Sequence, residues 1–219
     1  MRAVGGGGSN EAMAIASFLV QTVLLSMSGV MAPGPVTAAT LAGGARRAGA
    51  GSWIAVGHAV VEFPLMGLIL LGVGAWLSMP AFQRGIGLAG GVVLLVMTAM
   101  MLRDLRKPAA AGPAATDRPA RPLWTGIVLT GGNPYFLLWW ATVGLKLSTQ
   151  AADLGVLAFA LFAVVHWTCD LLWLTALSLA SHKGIAILGP RAQRAVTVIC
   201  ALAMAVFGVK FLADAVMRS

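Results

Sequence analysis

Six stretches of this sequence, roughly 13 to 45, 50 to 78, 82 to 102, 122 to 147, 152 to 181 and 192 to 216, are apolar and nearly free of charge. About eighteen such residues in a row mark a helix that crosses a bilayer, and several of these stretches exceed that length. The spacers between them are short and basic. With 59% of residues apolar and only 10% charged, the chain is too greasy for a soluble fold. Its 219 residues are expected to form one all-α polytopic membrane protein with six transmembrane helices.

The third and fourth segments are separated by "RDLRKPAAAGPAATDRPARP", rich in Pro, Ala and charge, which reads as a solvated linker. It divides the chain into a flexible N-terminal segment (1–12), a first three-helix repeat (13–102), a cytoplasmic linker (103–121) and a second three-helix repeat (122–219). The opening "MRAVGGGGSNEA" is polar and glycine-rich and contributes nothing to the fold reading. A removed signal peptide is not expected, because no small-residue cleavage site precedes a soluble domain.

Ten of the fifteen Lys and Arg residues fall in the loops after helices one, three and five: Arg46, Arg47, Arg103, Arg106, Lys107, Arg118, Arg121, Lys183, Arg191 and Arg194. By the positive-inside rule that side is cytoplasmic and both termini lie outside the cytoplasm, in the inner (plasma) membrane. The net charge of +8 therefore reports membrane orientation, and no nucleic-acid module accompanies it. Two halves with an odd number of helices each, if they share a fold, must be inverted relative to each other, which is the plan of many secondary transporters.

The first segment would be about 48 Å long as one helix, against a hydrocarbon core of about 30 Å. It is expected to break at "APGPV", where Pro33 and Pro35 lack N–H donors and Gly34 lets the backbone bend. The fourth segment carries a matching interruption, "TGGNPYF", at Asn133 and Pro134. Pro35 is 11 residues from Arg46 and Pro134 is 13 residues from Arg121, so the two breaks are expected at similar depth. Carbonyls and amides freed in a membrane must find a partner, and paired breaks in corresponding helices point to a transport site.

Only two of the seven acids lie deep in apolar segments, Glu62 and Asp170, and each follows a histidine by four residues, His58 and His166. That spacing puts each pair on one helix face. Counted from the cytoplasmic ends, His58 is level with Asp170 and Glu62 with His166 if helices two and five run antiparallel and adjacent. Ionisable groups at such depth usually mark a path for an ion or substrate. Histidine exchanges protons near neutral pH, so the four suit proton coupling, and the acids suit a cationic substrate group.

Trp53, Trp76, Trp124, Trp139 and Trp140, near segment ends, are expected in the interfacial belt, with Trp167 and Trp173 packed around the site. The eleven methionines and the two cysteines, Cys169 and Cys200, read as packing residues without metal-ligand spacing.

The stretches "MAPGPVTAATLAGGARRAGAGSWIAVGHAVVEF" and "GIVLTGGNPYFLLWWATVG" together resemble the LysE/RhtB family of amino-acid exporters. Members carry a PGP-type motif in the first helix, an NP motif in the fourth and a basic, glycine-containing first loop. By that resemblance Pro33, Gly34 and Pro35 match the first motif and Asn133 and Pro134 the second. It implies export of amino acids or similar metabolites, driven by the proton gradient or the membrane potential. Many members carry an Asp in helix two, where this chain has His58 and Glu62, which marks a divergent subgroup.

The expectation is a secondary exporter, not an enzyme, working by alternating access around the broken helices and needing no cofactor. Glu62 and Asp170 bind protons or a cationic amino group, and His58 and His166 tune or relay the proton. Asn133 and the freed backbone hold the polar ends of a small-molecule substrate. Two rivals share the same four residues: a divalent metal exporter, since two imidazoles and two carboxylates suit a transition metal, and an intramembrane metalloenzyme. The outer apolar surface calls for a lipid bilayer, and a homodimer is a second way to cover part of it.

Overall fold

The structure, a computed structural model, describes residues 7–106 and 121–217. Most of the expected linker, residues 107–120, lies outside them, as does the start of the N-terminal segment. Among the described residues every regular element is a helix. Five helical stretches are long and apolar enough to cross a membrane: Asn10–Val30, Ala50–Leu77, Pro80–Arg103, Val156–Gly184 and Thr197–Met217. The protein is an all-α polytopic membrane protein.

The first segment breaks where expected. Helix α1 (Gly7–Val30) ends before the Pro-Gly-Pro motif and α2 (Pro35–Arg46) starts with Pro35 in its first turn. Proline is tolerated there because its missing N–H has no acceptor within the helix. α1 also begins at Gly7, so its first turns reach into the glycine-rich segment expected to be flexible.

The fourth segment is more interrupted than a single proline break implies. It runs as α6 (Pro122–Gly131), α7 (Pro134–Trp139), a π-helical turn (Trp140–Gly144) and α8 (Leu145–Asp153). No piece of it is long enough to span alone, which is why five stretches rather than six meet the length of a crossing. The second segment has a π-helical turn of its own. α3 (Ala50–Leu68) continues through Ile69–Val73, where Gly72 sits at φ 96°, into the short α4 (Gly74–Leu77).

α5 (Pro80–Arg106) is the third crossing, and α9 (Val156–Met217) holds the fifth and sixth. A straight helix would place His166 and Phe207 about 60 Å apart. Yet His166 stacks on Trp139 at 5.0 Å and Phe207 meets Tyr135 at 5.3 Å, and Tyr135 and Trp139 are one turn apart on α7. α9 therefore doubles back into two limbs, Val156–Gly184 and Thr197–Met217.

The helices approach through glycine. A Cβ at Gly57 would fall 2.1 Å from the Leu123 carbonyl oxygen, one at Gly126 2.2 Å from that of Ile54, and one at Gly51 2.0 Å from that of Leu174. α3 is thus held backbone to backbone against α6 on one side and the first limb of α9 on the other. Close approach of this kind replaces the hydrophobic effect as the packing force within lipid. Ser178 Oγ donates to the Ala48 carbonyl near one end of this pair, and Trp167 Nε1 donates to the Ala55 carbonyl further in, so α3 and the first limb are antiparallel. Large apolar side chains such as Leu24, Val60, Leu71, Val96, Leu172 and Val206 point outward on all sides, as a hydrocarbon solvent requires.

Candidate functional site

The antiparallel pairing of α3 with the first limb of α9 brings the four deep ionisable residues together. His58 Nε2 and His166 Nε2 each lie 3.1 Å from Glu62 Oε1. Asp170 closes the group, with Oδ1 3.8 Å from His58 Nε2 and Oδ2 3.7 Å from His166 Nε2. All four are buried, and Glu62 is wholly so. Each histidine thus meets the acid of its own helix and that of the other, the level pairing counted from the loop positions.

Two hydroxyls that sequence reasoning passed over complete the arrangement. Ser26 Oγ on α1 lies 2.6 Å from His166 Nδ1, and Thr130 Oγ1 on α6 lies 2.8 Å from His58 Nδ1. A hydroxyl on a helix commonly turns back to its own backbone, as Thr142, Thr149 and Thr168 do here. Ser26 and Thr130, both fully buried, instead reach across to another helix. If each hydroxyl donates to Nδ1, each ring carries its proton on Nε2 and donates it to Glu62 Oε1. The result is one continuous chain from Ser26 through His166, Glu62 and His58 to Thr130. Its signal in the sequence is faint: a Ser or Thr on a half-helix shortly before a Pro break.

Both breaks open onto the same space. A cavity of about 70 Å³ is lined by Pro33, Gly34 and Pro35 from the first break, by Asn133 from the second, and by His58, Glu62, His166 and Asp170. Pro134 stands behind this wall, packed against α5, where a Cβ at Gly90 would fall 2.0 Å from its own Cβ. The Asn133 side-chain oxygen accepts from the Tyr135 backbone N–H at 3.1 Å and so caps α7. What Asn133 can offer a solute is therefore its amide NH2.

Two tryptophans expected in the interfacial belt are in the site instead. Trp139 stacks on the His166 ring at 5.0 Å, and Trp140 meets the same ring edge-on at 5.4 Å. Trp140 is 1% exposed and Trp139 8%, whereas Trp53, Trp76 and Trp124 are at least 49% exposed and suit the belt. Both follow the break at Asn133 and Pro134 by a turn or two, which sets them beside the cavity rather than at the end of the segment.

Chemically the cavity holds two imidazoles and two carboxylates in an apolar shell. Glu62 Oε2 and Asp170 Oδ2 are buried without a hydrogen-bond partner, and the Trp139 and Trp140 indole N–H groups are too. Among the described residues His58, Glu62 and Asp170 form one group able to hold a cation, with ligand atoms within 4.8 Å of one another.

A sequence model of the LysE type translocator family matches residues 27–215, from the last turn of α1 to the end of α9. Curated proteins and solved structures give no match.

Proposed function

The chain belongs to the LysE type translocator family, and from that premise we propose that it is a secondary active, proton-coupled exporter of amino acids or related small cationic or zwitterionic metabolites in the inner membrane. One observation carries this reading: both helix breaks and all four deep ionisable side chains line a single cavity. The family is one of transporters, so the cluster is read as a place where a solute pauses, not one where it is converted.

In this reading the ammonium of the solute and a proton compete for the same acceptors, Glu62 Oε2 and Asp170 Oδ2. Each imidazole can take up or release a proton next to them without moving, since Ser26 and Thr130 hold the rings. The cavity then opens to one side of the membrane or the other loaded with either a proton or the solute, which is exchange. Alternating access comes from rocking the half 13–102 against the half 122–219 as inverted repeats. The basic loops face the cytoplasm.

The compact trio of His58, Glu62 and Asp170 favours one second reading, with a divalent metal ion as the exported substrate. Counterflow in proteoliposomes separates the two. Purified protein, loaded in turn with unlabelled amino acids or with Zn2+ or Mn2+, is assayed for uptake of the labelled counterpart. Amino-acid counterflow that acidification of one side drives supports the proposal. Metal counterflow alone, with no amino acid moved, overturns it.

A further inference from the structure

The two breaks are not equivalent, and the difference assigns a direction to the solute. At the second break Asn133 supplies its own oxygen to the first turn of α7. At the first, Gly34 stands at the N-cap of the twelve-residue α2 and no side chain caps it. Within the helix, the N–H groups of Val36 and Thr37 have no acceptor one turn back. Gly34, Pro35, Val36 and Thr37 all line the cavity. An uncapped helix start presents N–H donors and the positive end of the helix dipole, a setting that favours a carboxylate or phosphate.

The opposite sign is built on the same cavity wall. Glu62 Oε2 and Asp170 Oδ2 make no hydrogen bond, on side chains 1% and 8% exposed. The Trp139 indole N–H makes no hydrogen bond, in a residue 8% exposed, and it packs against Gly29 at the end of α1. Acceptors at one place and donors at another around about 70 Å³ suit a small molecule carrying both charges. A bare metal ion or a simple amine would leave the donors unanswered.

Resting on the exporter reading above, we propose that the α2 N-terminus is the carboxylate subsite of a zwitterionic substrate, whose ammonium faces Glu62 and Asp170. Gly34 keeps that subsite free by withholding a cap. The residue is not needed for backbone reasons: its φ is −156°, and a Cβ there would meet nothing nearer than the Ala32 carbonyl oxygen at 4.0 Å.

Gly34→Asp tests this directly, because an aspartate at an N-cap accepts from the first-turn N–H groups and stabilises the helix. It would fill the subsite from within the protein while leaving the fold intact. Counterflow is measured with alanine and lysine, with ethylamine and 1,5-diaminopentane as competitors, the same molecules without the carboxylate. Wild type should prefer each amino acid over its amine by about tenfold or more, the size of a charge-assisted hydrogen bond. Gly34→Asp should lose that preference, with amines competing as well as amino acids. If the amines compete equally in wild type, or Gly34→Asp keeps the preference, the subsite is overturned while the exporter reading stands. If neither amino acid moves in wild type, both fall.

Discussion

Replacing Ser26 by Ala or Thr130 by Val removes one hydroxyl each and very little volume, so the effect isolates the hydrogen bond to the imidazole. The bonds are 2.6 Å to His166 Nδ1 and 2.8 Å to His58 Nδ1, between fully buried hydroxyls and histidine side chains no more than 10% exposed. Water does not readily replace a lost partner there. Leaving a buried polar atom unpaired costs about 1–3 kcal/mol, so each variant should be destabilised by roughly that amount. The ring is also freed to turn or to move its proton to Nδ1, which withdraws a donor from Glu62 Oε1. Transport should fall with it, by about tenfold for each 1.4 kcal/mol of lost alignment. The control is Thr168→Val, two residues from His166, whose hydroxyl bonds its own helix at the Val164 carbonyl. Removing it should cost no more than about 0.5 kcal/mol. Thermal unfolding in detergent and counterflow per folded protein are measured for all three. If Ser26→Ala and Thr130→Val match Thr168→Val in both, the two hydroxyls do not hold the histidines and the continuous chain through Glu62 has no role.

Other parts of the structure make separate predictions. Gly126→Ala places a methyl group 2.2 Å from the Ile54 carbonyl oxygen, which cannot yield without separating α3 from α6, so the unfolding midpoint should drop clearly, by about 1–3 kcal/mol or more. Gly131→Ala, with nothing within 4 Å of the added carbon, should be close to neutral in the same assay. Trp140→Ala removes a large side chain that is 1% exposed and should cost about 3–5 kcal/mol, while Trp124→Ala, at 56% exposed, should leave detergent stability nearly unchanged. Equal effects at the two tryptophans would return Trp140 to the interfacial belt.

What the sequence made legible is what membrane physics forces into it. Charge is so costly in hydrocarbon that His58, Glu62, His166 and Asp170 stand out from their surroundings, and proline next to glycine or asparagine marked both breaks to within a residue or two, whereas Pro64 alone stays inside α3. Counting from basic loops was enough to set His58 level with Asp170, because a helix rises evenly along its length. Features with no such cost stayed hidden. Ser26 and Thr130 look like any helical hydroxyl until a partner helix is placed beside them. Gly57 and Gly126 look like two of 27 glycines, since backbone contact between helices depends on crossing geometry. The π-helical turns carry no distinctive composition, and position near a segment end did not show that Trp139 and Trp140 pack on His166. The capping difference between the breaks was half visible: Asn133 was read as a substrate ligand, although Asn just before a helical Pro is also a capping residue.

The decisive measurement is counterflow of a labelled amino acid in proteoliposomes containing Glu62→Gln or Asp170→Asn protein, normalised to folded protein. Glutamine keeps an oxygen that can accept from both Nε2 atoms, now 3.1 Å from Glu62 Oε1, but replaces the free Oε2 acceptor by an NH2 group. Asparagine does the same to one oxygen of Asp170. Both proteins should therefore fold and transport roughly tenfold to a hundredfold more slowly, the loss expected when an ammonium gives up a charge-assisted hydrogen bond. Wild-type rates in both variants would contradict the assignment of the cavity as the place where the solute and the proton are held.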